Sequence, residues 1–333
     1  MSFHSLDSAF DALLGPDATI ECLLTVEEPL FHEAAVFDPA TDQLFVTSNR
    51  LIDGSGNQRV QISRVHLKND ASQVSMAALS CANIAMGNGG VNYKDGMMIL
   101  CDQGGRSAPS ALYLVDMAAP EKTQLLISGF FSRGFNSVND VVVHSDGSIW
   151  FTDPTYGFEQ GYRPKPQLPP QVYRYVPPRE GVAGSGSIRA IADGFGHPNG
   201  LCFSPDEHIL YVTDTDRVCG DGSIRDDRAS SIYAFDIMVV KGQPFLANRR
   251  LYAMAENGIP DGIKCDLEGN VYSGCGDGVD VWNEGGKLIG KILVEGGIAN
   301  FCFGKNGEMF LLNETRLWRA RLKGGVKGAL LGL

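Results

Sequence analysis

The chain alternates short apolar segments with turns that carry Asp, Gly, Asn or Pro, and residues 137–153 show this pattern clearly. There the apolar run 141–143 is followed by an Asp146-Gly147 turn and by a second apolar run that carries Trp150. Two such runs joined by an Asp-Gly turn are typical of a β-hairpin. The pattern recurs about every fifty residues, which is the spacing of a repeat architecture. The central residues of the second runs are Phe45, Ile99, Trp150, Tyr211, Tyr272 and Phe310.

Six copies rich in strand and turn signals, with little helical periodicity, predict an all-β fold: a six-bladed β-propeller with four-stranded blades. Too few residues follow the sixth copy to supply its fourth strand, so we expect the N-terminal strand at 19–26 to join that last blade and close the ring. The sequence predicts one domain over 1–333. Its parts are a short N-terminal helical segment at 1–17, the propeller at 18–322 and a glycine-rich tail at 323–333.

A polar residue stands at the start of the predicted innermost strand in every copy. Asn and Asp favour the turn that precedes a strand, so a purely local role is one explanation. The innermost strands of a propeller also line its central channel, where six such side chains would form a ring of oxygen atoms. Ca²⁺ prefers carboxylate and carbonyl oxygen ligands, so the ring predicts a cation site. Its members are Glu33, Asn88, Asn139, Asn199, Asp261 and Asn300.

Composition limits the partners and the location that we expect. The net charge of −11 argues against nucleic acid, which needs a basic surface. The sequence has no apolar run of about eighteen residues and no signal-peptide pattern, so we expect no membrane association. The eight cysteines form no C-x-x-C pair, which favours buried free thiols in a reducing, cytoplasmic compartment. We expect a monomer or weak oligomer that acts on a small molecule.

Four segments resemble the SMP-30/gluconolactonase family, and the resemblance extends over nearly the whole chain. They are Phe-His-Glu-Ala at 31–34, the hairpin at 136–154, the stretch at 197–206 and Pro-Asp-Gly-Ile at 260–263. The family implies a six-bladed propeller with a central divalent cation, usually Ca²⁺. Its metal ligands correspond to Glu33, Asn199 and Asp261, and Asn139 corresponds to a further ligand or a substrate-side residue. The Asp261 position is the family's proposed general base or nucleophile.

Two segments depart from the family pattern. The Glu-Gly-Pro that commonly follows the first ligand is Glu33-Ala34-Ala35 here, and Gln103 stands where many members have His. These changes concern substrate choice more than metal binding, so they leave the substrate open.

The sequence therefore predicts a metal-dependent lactonase that acts on carboxylic ester bonds. Ca²⁺ would polarise the lactone carbonyl, and Asp261 or a metal-bound water would supply the base or nucleophile. No G-x-S-x-G motif supports a serine hydrolase. We assign catalysis to Asp261 and Asn139. The residues expected to bind substrate are Asn88, Arg106, Tyr156 and Asn300.

Several alternatives stay open at this point. The same site would suit a phosphotriesterase-like hydrolase or a non-hydrolytic biosynthetic enzyme, because a fold does not determine its chemistry. A Ca²⁺-binding or interaction propeller without catalysis is a third alternative. Zn²⁺, Mn²⁺ or Mg²⁺ could replace Ca²⁺ as the cation.

Overall fold

The structure, a computed structural model, describes residues 1–178 and 186–333. Six antiparallel sheets surround a central channel and form the predicted six-bladed β-propeller. The first three blades, each from its innermost strand outward, are Glu33–Asp38, Gln43–Thr47, Ile62–His66 and Ser75–Leu79; Gly87–Tyr93, Met97–Asp102, Ala111–Asp116 and Thr123–Ile127; Val141–Val143, Ile149–Asp153, Gln171–Val176 and Ser187–Ala192.

The other three blades have the same order, and the last two also take strands from the N-terminus. In the same inward-to-outward order they are Pro198–Phe203, Ile209–Asp214, Ser231–Val240 and Gln243–Met254; Ile263–Cys265, Val271–Cys275, Gly278–Trp282, Leu288–Leu293 and Ser2–Ser5; Asn300–Phe303, Glu308–Asn313, Arg316–Arg321 and Thr19–Thr25.

Short helices, 3₁₀ turns and two-stranded pairs lie in the loops between the blade strands. They are the helices Ser8–Leu14 and Tyr156–Glu159, the 3₁₀ turns Ala71–Gln73 and Lys94–Gly96, and the two-stranded pairs Leu51–Ile52 with Gln58–Arg59 and Gly129–Phe130 with Arg133–Gly134.

The ring closes as predicted, through the N-terminal strand Thr19–Thr25. This strand pairs antiparallel with Arg316–Arg321 and is the outermost strand of blade six. Glu21 fixes the pairing because its carboxylate accepts hydrogen bonds from Arg319 Nε at 2.8 Å and from Arg321 Nη1 at 2.7 Å. Closure pairs an edge that would otherwise stay open.

The first residues differ from the expected helical segment at 1–17. A helix forms only over Ser8–Leu14, and its N-cap is Asp7, whose carboxylate accepts a hydrogen bond from Ala9 N at 2.9 Å. Ser2–Ser5 is instead a strand that pairs with Leu288–Leu293 and gives blade five a fifth strand. The outer edge of blade five offers unpaired backbone groups, and these stabilise a strand where side-chain spacing alone suggested a helix.

The helix is held to blade five by Phe10, which is fully buried. Its ring lies against Gly290 of the strand Leu288–Leu293, where a Cβ atom would be only 2.2 Å from Phe10 Cγ. A glycine is therefore required at position 290 for the helix to dock.

The glycine-rich tail is not a loose extension of the propeller. It passes beneath blades five and six, where Ala329 N donates a hydrogen bond to Cys265 O at 2.9 Å. Leu331 and Leu333 pack against the apolar cluster between blades one and six. The tail thus covers one end of the channel. In the described part of the chain, no helix is long and apolar enough to cross a membrane.

Candidate active site

The predicted ring residues meet at one end of the channel. Five of the six line a single cavity of about 300 Å³, and these are Glu33, Asn88, Asn139, Asn199 and Asp261. The sixth, Asn300, is buried beside them and donates a hydrogen bond from Nδ2 to Glu33 Oε2 at 2.6 Å. It therefore orients a ring carboxylate rather than lining the cavity.

Close approach of neighbouring inner strands requires glycine after the ring residues. A Cβ atom on Gly200, which follows Asn199, would lie 2.5 Å from the carbonyl oxygen of Asp261. One on Gly262, which follows Asp261, would lie 2.4 Å from Asn300 Cγ. The Asn-Gly and Asp-Gly pairs of the sequence thus reflect packing between blades here, not turns.

Threonine hydroxyls of the second strands hold the backbone of the ring residues in the next blade. Thr152 Oγ1 donates to Asn199 O at 2.7 Å, and Thr213 Oγ1 donates to Asp261 O at 3.0 Å. Thr47 Oγ1 does the same for Asn88 O at 2.9 Å. Each of these threonines follows the central aromatic residue of its strand by two positions, so the repeat itself encodes this support.

The backbone at Glu33 is irregular. The pairing of Glu33–Asp38 with Gln43–Thr47 shifts register between Glu33 and Val36, and the two intervening alanines have positive φ values of 68° and 54°. Such a conformation costs a non-glycine residue about 1–2 kcal/mol. The bulge re-aims the side chain at the start of the strand, and bulges are common beside functional sites.

Several oxygen atoms in the site lack a partner. Oδ1 of Asn88, Oδ1 of Asn139 and Oδ1 of Asp261 are buried without a hydrogen-bond donor. Unpaired buried acceptors are rare and costly, so they point to a missing ligand. Acceptor oxygens facing one cavity fit a hard cation, because such cations bind carboxylate and amide oxygens.

The charges agree with this interpretation. Burial raises the pKa of Glu33, and repulsion from Asp261 raises it further. Burial also raises the pKa of Asp261, whereas His32 and a hydrogen bond from Asn199 oppose the rise. Two buried carboxylates that repel one another are stabilised by a cation between them. Across residues 1–178 and 186–333 no three His, Cys, Asp or Glu side chains form a metal cluster, so amide oxygens would complete the ligand set.

His32 also lines the cavity, and sequence reasoning had placed it only beside the ring. Its Nδ1 lies 2.7 Å from Glu314 Oε1. Burial lowers the pKa of His32, but Glu314 and the ring carboxylates outweigh it and raise the pKa to about 10. Glu314 follows the second strand of blade six and has no counterpart in the repeat, so nothing in the pattern indicated it.

Tyr156 lies at the mouth of the cavity, in the long loop of blade three. Its ring stacks on His197 with the ring centroids 4.5 Å apart, and its hydroxyl is 2.5 Å from Thr215 Oγ1. His197 Nε2 is in turn 2.7 Å from Glu159 Oε1 of the short helix Tyr156–Glu159. The stack on His197 holds the Tyr156 ring, so the ring is already positioned at the mouth of the cavity.

Two other loop residues differ in their relation to the cavity. Gln103 is buried, lines the cavity and accepts a hydrogen bond from Tyr162 Oη at 2.5 Å. Arg106 is exposed, is not among the lining residues, and donates from Nη2 to Gly161 O at 3.2 Å. The geometry therefore does not support the substrate contact expected of Arg106. Gln103 instead lines the cavity that contains the ring residues.

Fold and site together define a six-bladed propeller whose channel mouth gathers carboxylate and carboxamide oxygens. Residues 33–312 match the profile described as SMP-30/Gluconolactonase/LRE-like region, and the chain belongs to this family.

Three named proteins of known or assigned activity are similar to this chain. The lactonohydrolase oryL of Aspergillus oryzae is 29% identical over 97% of this chain and 74% of its own. The gluconolactonase of Zymomonas mobilis is 28% identical over 69% of this chain and 61% of its own. Among solved structures, a gluconolactonase from Xanthomonas campestris is 29% identical with a TM-score of 0.75, covering 97% of this chain and 95% of that one.

Proposed function

We propose that the protein is a divalent-cation-dependent lactonase that opens the ring of a small, polar lactone. The observation that carries the proposal is the set of buried, unpartnered oxygens of Asn88, Asn139 and Asp261 that face one cavity. Family membership supports the same conclusion, since relatives that match nearly the whole of this chain are a lactonohydrolase and a gluconolactonase.

The residues that would hold the cation are Glu33, Asn139, Asn199 and Asp261, and Ca²⁺ suits their oxygens best. When bound, a divalent cation supplies Lewis-acid stabilisation of the negative charge that develops on the carbonyl oxygen. Asn300 keeps the Glu33 carboxylate turned toward the cavity through its 2.6 Å hydrogen bond.

In this proposal Asp261 acts as the general base. Its Oδ1 has no donor in the protein and faces the cavity. In the reaction, Asp261 accepts a proton from water as the water oxygen attacks the carbonyl carbon. The ring C–O bond then breaks, the leaving alkoxide takes the proton held by Asp261, and the product is a hydroxy acid.

The cavity limits the substrate. A space of about 300 Å³ lies at the lower end of the usual range of small-molecule sites. Its walls include the amide side chains of Asn88 and Gln103, the side chain of Tyr156 and the guanidinium of Arg50. These groups suit the hydroxyls of a sugar lactone better than an acyl chain.

The proposal is tested by hydrolysis of a panel of γ- and δ-lactones together with one phosphotriester, with and without chelator. We expect hydrolysis of a polyhydroxylated lactone that chelator abolishes and Ca²⁺ restores. Asp261→Asn should lower kcat by at least about a hundredfold, the usual contribution of a positioned base. Turnover of the phosphotriester alone, or unchanged kcat in Asp261→Asn, would contradict the proposed reaction.

A further inference from the structure

A second cavity lies at the opposite end of the central channel. The six inner strands run in the same direction, each beginning near the ring. The wall residues of the second cavity follow the ring residues by three or four positions, which separates the two sets by roughly 10–13 Å at about 3.3 Å per residue. The second cavity has a volume of about 340 Å³ and is covered by residues 328–333. Every blade contributes a wall residue near the end of its inner strand: Phe37, Asn92, Val143, Phe203, Cys265 and Phe303.

Most of its wall is apolar. Valines of blade three, phenylalanines of three blades and the tail residues Leu331 and Leu333 face the space. The polar wall groups have partners within the protein. Asn92 Nδ2 donates to Phe37 O at 2.8 Å, and Glu207 Oε1 accepts from Ser145 N at 2.8 Å.

Lys264 is the exception. Among the described residues that line the cavity it is the one Lys or Arg, and it is only partly exposed. None of the hydrogen bonds or ion pairs within 4 Å in the described chain involves its ammonium group. It acts at longer range on Asp140, whose carboxylate already accepts Val141 N at 2.9 Å and Leu201 N at 3.3 Å. An ammonium group is thus left unpaired beside an apolar space.

We propose that this second cavity binds a small organic anion with an apolar body, of the class of medium-chain aliphatic carboxylates. The carboxylate would pair with Lys264 and the chain would lie against the valine, phenylalanine and leucine side chains. Apolar walls with one placed polar group are the usual composition of a ligand site, and a charge-assisted hydrogen bond fixes the orientation. The site is separate from the ring and does not depend on the proposed lactonase activity.

Calorimetry with octanoate tests the proposal. We expect saturable one-site binding, weakened at least about tenfold in Lys264→Met, which keeps the side-chain length but removes the charge. Lys287→Met, at an exposed lysine paired with Asp7, should bind octanoate as the wild type does. Glu33→Gln should also bind normally, because the ring lies at the other end of the channel. Absence of saturable binding, or equal binding by Lys264→Met, would overturn the proposal, and loss of binding in Glu33→Gln would assign the anion to the ring.

A second measurement needs no variant at the lysine. Cys302 and Cys202 line the second cavity, whereas Cys22 lies on the outermost strand of blade six. Octanoate should slow alkylation of Cys302 and Cys202 severalfold, measured by peptide mass spectrometry, and leave Cys22 unchanged. Equal alkylation with and without octanoate would contradict the proposal even if Lys264→Met fails to fold.

Discussion

At the scale of single residues, the site depends on how Asn300 orients Glu33. Asn300 Nδ2 donates a 2.6 Å hydrogen bond to Glu33 Oε2 and so helps to hold that carboxylate in place. Groups that orient a metal ligand commonly affect metal affinity as much as a weak ligand does.

Asn300→Leu removes this donor at similar volume. We expect Ca²⁺ affinity, measured by calorimetry, to fall by about 10–100-fold, the usual effect of losing an orienting partner. Asn92→Leu is the matched control, because Asn92 lies at the other end of the same channel. Unchanged Ca²⁺ affinity in Asn300→Leu would mean that Glu33 needs no orienting group.

The ring could be predicted from the sequence because its members recur in phase with the repeat. Glu314 could not be predicted, because its contact with His32 joins residues that are 282 positions apart in the chain. Gln103 was seen only as a departure from a family pattern, although it lines the cavity. Arg106 is a predicted substrate contact because its loop was expected over the channel mouth, and the path of a loop cannot be inferred from the sequence.

At the scale of single elements, the second strands position the ring of the following blade. Thr213 lies on the strand Ile209–Asp214 and donates to Asp261 O at 3.0 Å and to Gly200 O at 3.3 Å. One hydroxyl is therefore shared between the inner strand of blade four and the backbone at Asp261, just before the inner strand of blade five.

Thr213→Val keeps the shape but leaves these carbonyl groups unpaired. We expect a loss of stability of about 1–3 kcal/mol and a lower kcat, because Asp261 is no longer held. Thr213→Ser retains the hydroxyl and should recover most of the kcat. If Thr213→Val lowers the thermal midpoint but leaves kcat unchanged, the hydroxyl supports the fold and not the site.

The hairpin of blade three carries a pH-dependent turn. Burial raises the pKa of Asp146, but hydrogen bonds from Ser148 and Arg174 outweigh it and lower the pKa from 3.8 to about 2. A carboxylate with a lowered pKa in the folded state stabilises the protein above its unfolded pKa. That contribution is lost as the pH falls from about 4 toward 2.

Asp146→Asn should therefore lower stability near neutral pH and flatten its loss in acid. Urea midpoints at pH values of about 6 and 3 would show a smaller difference in the variant than in the wild type. Asp53→Asn, in an exposed loop outside the blades, is the comparison at a turn carboxylate that accepts backbone hydrogen bonds from Ser55 N at 2.8 Å and Asn57 N at 2.9 Å. Equal pH dependence in wild type and Asp146→Asn would exclude this carboxylate as a source of the acid sensitivity.

At the scale of the whole molecule, the N-terminal segment strengthens the side of the ring where the chain closes. The helix Ser8–Leu14 inserts Phe10 into the core shared by blades five and six. This contact joins the two blades that contain the N-terminal strands.

Phe10→Ala should lower the free energy of unfolding by about 3–5 kcal/mol, the usual cost of emptying a buried aromatic site. Leu6→Ala, at an exposed residue of the same segment, should change it by less than about 0.5 kcal/mol. Chemical denaturation monitored by tryptophan fluorescence would measure both. A small effect of Phe10→Ala would show that the helix docks without stabilising the ring.

The propeller could be predicted because hairpin and turn signals are local and repeat six times. The extra strand Ser2–Ser5 could not, since it forms only where blade five offers an unpaired edge. The packing of the glycine-rich tail could not be predicted either, because Leu331 and Leu333 contact an apolar surface that forms only when blades one and six meet. What the sequence left open was decided by contacts between distant parts of the chain.

Closure by the strand Thr19–Thr25 also determines the order of events during synthesis. This strand is synthesised long before its partner, Arg316–Arg321, because blades one to five lie between the two in the sequence. Until the partner is made, the nascent chain carries an unpaired strand and a growing row of blades with an open end. Long-range pairings of this kind form slowly, and until they form the unpaired strand edges are prone to aggregation. Ring closure is therefore the folding step in which a chaperone would be of most use.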